Sequence, residues 1–157
     1  LLGKKKRETG EYYVDFEVKY VPGELIAKGF NNSIEVFQDT QKTAGTPASI
    51  LLTPDRKIIS ADGEDVTIVT AAIVDKDGMV VPDADNNIEF KITGNGKLIG
   101  TGNGNPMDHD SDKINFRNAF NGYCIAIVQG TEESGTITVE ALTEGLINGK
   151  TEISVGK

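Results

Sequence analysis

What this sequence has little of sets the first limits on what it can do. It holds one cysteine, Cys124, so no internal disulfide can form. It holds one histidine, His109, and a zinc centre needs three or four ligands of the right type. A Cys–His dyad would have to use these same two residues, and nothing positions the pair or adds an orienting third group. Cys124 falls in the apolar run 123–128 and reads as a small buried hydrophobe. Tryptophan is absent and aromatics make up 6%, so a sugar-stacking platform would have to come from other rings. Tyr12, Tyr13, Tyr20 and Tyr123 sit among apolar neighbours and read as core or interface packing instead. Positive charge is also short. Sixteen Lys and Arg face twenty-four Asp and Glu, a net charge of −8, which argues against a phosphate backbone as partner. The local run Lys4-Lys5-Lys6-Arg7 reads as a solvated strand end, not a nucleic-acid or targeting patch. No apolar stretch approaches the ~18 residues of a membrane span. No signal-peptide pattern is visible, and the chain opens at Leu1-Leu2-Gly3 without Met, as an excised piece would.

What is present is β pattern. The 157 residues suit one generous domain or one domain plus part of another. A hydrophobic content of 38% with 25% charged residues is that of a globular chain. Eighteen glycines without a collagen-like period imply many turns. The central stretch is Asp65 to Thr93. Val66–Val74 is rich in β-branched residues, Asp75-Lys76-Asp77-Gly78 breaks it, and 86–92 alternates apolar with polar. Asp-Gly supplies the φ > 0 position of a hairpin-like reversal, so the stretch reads as strand, turn, strand. Ile88, Phe90 and Ile92 should point inward, with Glu89 and Lys91 outward. Val66–Val74 is apolar on both faces, as in a central strand or one covered by a neighbouring domain.

The remaining chain supplies further strands. Residues 1–7 read as the end of a strand or hairpin, and the alternation in 11–20 as a half-buried strand. Val21-Pro22-Gly23 is a turn, followed by strands at 24–29 and 33–39. Only three or four strands precede Thr40, whereas an immunoglobulin-like sandwich wants about seven. Residues 1–43 are therefore expected to be the C-terminal part of a truncated sandwich. Residues 44–47, within the polar, Gly- and Pro-broken 41–47, form the linker. Residues 48–157 are expected to be a complete immunoglobulin-like β-sandwich, so the fold class is all-β. Its first strand looks split by Pro54-Asp55-Arg56, with Pro54 on an edge or at a bulge. Short strands follow at 96–101, 123–129, 136–143 and 151–155, with Asn148-Gly149 as the last turn. A single helical turn at 113–120 is the only helix candidate.

The loop from Gly100 to Lys113 is the most conspicuous candidate site. A dinucleotide fingerprint fails there, because Asn105 stands where the third glycine belongs and Pro106 with an acidic run replaces the helix. Asp108, Asp110 and Asp112 repeat as at the start of an EF-hand, but Lys113 and Ala119 occupy the required Gly and Glu positions. An EF-hand is excluded, and an irregular calcium site on Asp108, Asp110 and Asp112 stays open beside a solvated acidic loop. Asn103, Asn105, Asp108 and Asp110 could alternatively line a glycan cleft. Among so many carboxylates some close pair is inevitable, so pairing alone does not identify glycosidase acids. No strand end shows a setting that tunes a carboxyl as an acid. No catalytic residue is assigned, and no cofactor beyond the possible calcium.

Four segments carry a resemblance: 48–56 (ASILLTPDR), 61–65 (ADGED) with the apolar strand after it, 74–82 (VDKDGMVVP), and GNGNP at 102–106 continuing to RNAFNG at 117–122. Their order resembles the C-terminal immunoglobulin-like domain of bacterial family 2 glycoside hydrolases, the β-galactosidase group, over residues 47–157. Residues 1–43 resemble the tail of the preceding sandwich, with Leu2-Gly3-Lys4-Lys5 matching the end of one of its hairpins. The resemblance implies a non-catalytic accessory module, since the family's nucleophile and acid/base lie in an upstream (β/α)₈ barrel. Such a barrel takes ~250 residues and cannot be here. The implied partners are other domains of the same polypeptide or an oligomer interface, and export to the periplasm or cell exterior is expected. Two other readings stay open, a carbohydrate-binding module and an adhesin-type surface repeat.

Overall fold

A computed structural model describes residues 1–156, and among them every regular element is a strand. The chain divides into two compact units, Leu1–Thr43 and Ala44–Lys157.

In the first unit, β1 (Glu24–Asn31) and β2 (Ile34–Lys42) form an antiparallel pair. They turn through Asn32 and Ser33, whose φ values of 48° and 66° are those of a tight hairpin. The half-buried strand expected at 11–20 is not formed. Those residues are all exposed and join no ladder, although Lys5 Nζ lies 3.4 Å from Asp15 and 5.5 Å from the centre of the Phe16 ring. Alternation encodes two faces, but a strand also needs a neighbour for its N–H and C=O groups. Tyr12, Tyr13 and Tyr20 are accordingly exposed, so their assignment to a core does not hold.

The second unit is a sandwich of two sheets. Its strands are β3 (Ser49–Pro54), β4 (Ile58–Ser60), β5 (Val66–Val74), β6 (Asn87–Gly94), β7 (Gly96–Gly102), β8 (Phe116–Asn118), β9 (Tyr123–Gly130), β10 (Gly135–Leu142) and β11 (Gly149–Gly156). One sheet runs β3-β5-β9-β7 and the other β4-β11-β10-β6-β8. All pairs are antiparallel except β11 with β4. The core fills between them. Val69, Ala71, Ile73, Cys124, Ala126 and Val128 come from the first sheet, and Ile88, Phe90, Ile137, Val139 and Ile153 from the second. Alternation holds as expected on β6, where Ile88 and Phe90 are buried while Glu89 and Lys91 face water.

Three readings of this unit need correction. The 66–74 and 86–92 strands are not a hairpin: β5 pairs with β3 and β9, and β6 with β10 and β8. The Asp-Gly reversal is real, with Gly78 at φ 80° and Val74 bridged to Val80. However, the chain then crosses to the opposite sheet. Asp75 secures the departure, accepting hydrogen bonds from the amides of Gly45 (2.7 Å), Asp77 and Met79 (2.9 Å each). Those amides, Gly45 foremost, hold its carboxyl below the usual range. Second, 113–120 is no helix but a turn running into β8. Ile88↔Arg117 pairing turns that short segment into a sheet edge. Third, the last turn lies at Glu144-Gly145 with Gly145 at φ 78°, while Gly149 begins β11 and is buried against the Ile50 carbonyl.

The split first strand is a change of sheets. β3 is an edge strand of one sheet, with Pro54 at its end, and β4 is an edge strand of the other. Two carboxylates pin the crossing. Asp55 accepts from Thr67 Oγ1 at 2.7 Å and the Ile68 amide at 2.8 Å. Asp65 accepts from the Ser60 amide at 2.8 Å and from Arg56 Nη2 at 2.8 Å. The Ser60 amide first, then Arg56, lower the Asp65 carboxyl from 3.8 to about 2. A depressed acid contributes stability above its unfolded value and loses it as pH falls through the folded one. The urea midpoint of the chain should therefore drop between about pH 4 and pH 2. Asp65→Asn should start lower and lose less across that window. Parallel curves for the two proteins would show that Asp65 does not contribute.

Candidate functional site

The loop after β7 is built from short polar turns. Asn103 Oδ1 accepts from the Asn105 amide (2.9 Å), Asn105 Oδ1 from Met107 (3.0 Å), and Asp108 Oδ1 from Asp110 (2.9 Å). Each is the local side-chain-to-backbone bond for which Asn and Asp are suited. Arg117 on β8 gathers the turns. It is 4% exposed, and its guanidinium donates to Asp108 Oδ2 (3.0 Å) and to the carbonyls of Asp110 (3.3 Å), Ser111 (2.8 Å) and Thr101 (3.3 Å). Thr101 Oγ1 accepts from Nε at 3.3 Å and from Nη2 at 3.2 Å. The planar fork of donors is thereby spent on the loop itself. Asn103 Nδ2 adds bonds to Asp108 Oδ2 (2.7 Å) and the Asn118 carbonyl (3.0 Å).

This geometry decides what the loop can do chemically. Both Asp108 oxygens are occupied. The Asp110 amide first, with Arg117 next, holds the carboxyl below its ordinary range. Asp110 and Asp112 are exposed and make no side-chain hydrogen bond among the described residues. The three aspartates nominated for calcium do not converge: among the described residues no three His, Cys, Asp or Glu side chains are placed to hold an ion. Of the residues named for a glycan cleft, Asn103, Asn105 and Asp108 each spend side-chain atoms on hydrogen bonds within the loop or to β8. Among the described residues no buried side-chain nitrogen or oxygen lacks a partner. His109 is exposed on the loop, whereas Cys124 is 1% exposed within the core, where burial pushes its thiol up to about 12. A thiol so disfavoured as thiolate is a packing group and no nucleophile.

Arg117 was not singled out from the sequence except as part of the 117–122 segment. The only available signal was an arginine on the inward alternation of Phe116-Arg117-Asn118, and three residues are too few to reveal a period.

Two features remain on the outside of the sandwich. The outer face of β3-β5-β9 is largely apolar, with Thr53 and Thr70 in its middle row: Leu51, Ile68 and Tyr123 are 52%, 40% and 42% exposed, with Ile125 and Ile127 half-buried beside them. The register aligns Leu51, Ala72 and Tyr123 in one row and sets Ile68 opposite Ile127 in another. The outer face of the second sheet is polar and carries a groove near the start of β6 and the end of β10.

Comparison with known proteins bears on this arrangement. Residues 50–152 match the model of the family described as glycoside hydrolase family 2 C-terminal domain 5. The chain is 37% identical to the β-galactosidase BoGH2A of Bacteroides ovatus over 97% of its own length and 18% of that protein. It is 31% identical to a β-galactosidase of Thermoanaerobacter pseudethanolicus over 86% of its length and 16% of the relative's. A crystal structure of a glycosyl hydrolase family 2 member from Bacteroides cellulosilyticus superposes with a TM-score of 0.84 at 34% identity, over 89% of this chain and 18% of that one. The chain therefore spans under a fifth of the length of these relatives, at their C-terminal part. The all-β sandwich, the segment order and these matches agree: the chain belongs to the C-terminal domain 5 family of family 2 glycoside hydrolases.

Proposed function

We propose that this chain is a non-catalytic accessory module of a β-galactosidase-like family 2 hydrolase, packing against another domain of the same polypeptide. The observation that carries the reading is the apolar outer face of β3-β5-β9. Leu51, Ile68, Tyr123, Ile125 and Ile127 share that face, joined along β9 and flanked by Thr53 and Thr70 in the middle row, and such a patch marks an interaction surface on a folded domain. The occupant is taken to be a domain in cis because the chain matches only 18% of its β-galactosidase relative. A tethered neighbour reaches high effective concentration without needing a strong interface. The first unit supports the same picture. Its two-stranded sheet exposes Leu25, Ile26, Phe30, Ile34, Val36 and Phe37, and an isolated hairpin of this kind is marginal in water. It is read as part of a larger preceding sandwich. The adhesin-type reading is less favoured, because the curated relatives are glycoside hydrolases.

The test compares two contexts. Leu51→Glu with Ile68→Glu should change the stability of the isolated 157-residue chain by no more than ~0.5 kcal/mol, as for other exposed sites. In the full-length polypeptide the same pair should lower the melting temperature and open the domain to limited proteolysis. Equal melting of wild-type and variant full-length protein would overturn the proposal. So would sedimentation showing that the isolated chain dimerises through this face, which would make the occupant a second copy.

A further inference from the structure

The outer face of β3-β5-β9 continues onto β7. Its middle row runs Thr53, Thr70, Ile125 and Gly102 across all four strands. The rows on either side hold Leu51 with Tyr123, and Ile68 with Ile127 and Gly100. Three properties of this surface, and its size, define what can cover it.

The first is the lack of charge. No residue of these rows carries one, in a chain that is 25% Asp, Glu, Lys and Arg. The opposite sheet shows the contrast, with Lys150, Glu140 and Lys91 aligned in one outward row and Glu89 in another. On the first face charge stands at the border, where Lys97 lies opposite Gln129 and Lys113 donates to the Ile99 carbonyl at 3.0 Å. Depletion of charge from the middle of a surface is a mark of the core of an interface.

The second is flatness. Two rows end on glycine, and a Cβ at Gly100 or Gly102 would lie 3.6 Å from Ile127 Cδ1 or 3.7 Å from Ile125 Cγ1. The isoleucines lean over strand β7, and no side chain rises beside them. A level surface of this kind suits another surface rather than a small molecule, which needs a concavity. The third is a set of hydroxyls. Thr53, Thr70 and Tyr123 make no side-chain hydrogen bond among the described residues. A covering surface must therefore be apolar yet offer hydrogen-bonding groups opposite the middle row.

Size selects the occupant. Four strands about 4.8 Å apart, over rows spanning roughly 20 Å, give a footprint of about 400 Å². Counted on both partners this is about 800 Å², within the ~600–1,500 Å² usual between domains of one chain. It is short of the ~1,200–2,000 Å² buried by stable complexes of separate molecules. A second copy of the chain is disfavoured on the same ground.

We infer that the outer face of the β3-β5-β9-β7 sheet is a docking surface that holds its partner only in cis. It seats a flat, uncharged surface of a neighbouring domain and releases it once the covalent link is cut. This rests on the packing reading above and adds the extent of the face, the chemistry of its partner and the dependence on the link.

The experiment uses the full-length polypeptide with a specific protease site placed in the 44–47 linker. Uncleaved, Thr70→Lys should lower the melting temperature and open the domain to limited proteolysis. Thr138→Lys, on the outward face of the opposite sheet between Thr93 and Glu152, should do neither. In the isolated 157-residue chain the two variants should melt alike. After cleavage of the wild-type protein, the 48–157 fragment should separate from the remainder on gel filtration at ~1 µM, as expected of so small an interface. A fragment that stays bound at that concentration overturns the dependence on the link and leaves the packing reading standing. A silent Thr70→Lys beside a destabilising Leu51→Glu, Ile68→Glu pair overturns the extended face alone. If both are silent in the full-length protein, the packing reading falls with the inference.

Discussion

Arg117→Met is expected to cost the 44–157 unit about 3–5 kcal/mol, the penalty for removing one partner of a buried ion pair. The side chain is 4% exposed and its donors satisfy Asp108 Oδ2, the carbonyls of Thr101, Asp110 and Ser111, and the Thr101 hydroxyl. Methionine fills similar space but donates nothing, so those acceptors must find water or stay unpaired. The loss is a large part of the ~5–15 kcal/mol that holds a typical domain folded. Urea unfolding followed by far-ultraviolet circular dichroism would read it as a lower midpoint. Hydrogen exchange would locate it, because the Thr101 amide bonds to the Asp112 carbonyl at 2.8 Å and should lose protection with the loop. Arg117→Lys should recover only part of the loss, since an ammonium cannot span the same acceptors. Wild-type stability in the methionine variant would mean that the loop holds itself through its Asn and Asp turns.

Gly94→Ala is the second large effect. Gly94 ends β6 at φ 87°, just before the chain crosses to β7 in the other sheet. A Cβ built there would lie 2.0 Å from the Thr136 carbonyl oxygen. That oxygen cannot easily withdraw, because it accepts the Asn95 amide at 3.1 Å. Left-handed backbone with a side chain costs ~1–2 kcal/mol, and forced overpacking adds ~1–3 kcal/mol. A total of about 2–5 kcal/mol is expected, read as a fall in the urea midpoint. Gly104→Ala is the matched control. Gly104 also has a left-handed φ of 73°, but nothing lies within 4 Å of its Cβ position, so only the backbone penalty should appear. Equal losses at the two positions would remove the steric part of the argument.

Alternation gave the inward faces correctly wherever a strand is covered on one side. Ile88 and Phe90 are buried between exposed Glu89 and Lys91, and Cys124 lies in the core as its apolar run suggests. The same signal misread 11–20, where the pattern exists but no neighbouring strand pairs with it. It also missed β8, whose three residues carry less than two periods. The candidate site shows a parallel limit. The acidic loop was visible as a loop, but the spacing of Asp108, Asp110 and Asp112 could not show that Arg117 already holds Asp108. Nor could the sequence join Glu89 and Leu142, which stand opposite each other only through the β6–β10 register.

The sequence by itself determined the β class, the absence of an internal disulfide, the side-chain faces of the main strands and, through its ordered segments, the family. These follow from residue type and local period, which act within a few neighbours along the chain. Tertiary structure alone decided that β5 and β6 part to opposite sheets. It likewise decided that one outer surface is apolar while the other is polar and grooved. Those outcomes depend on pairing between residues distant in sequence, and a period-two pattern is silent about which partner lies across the ladder.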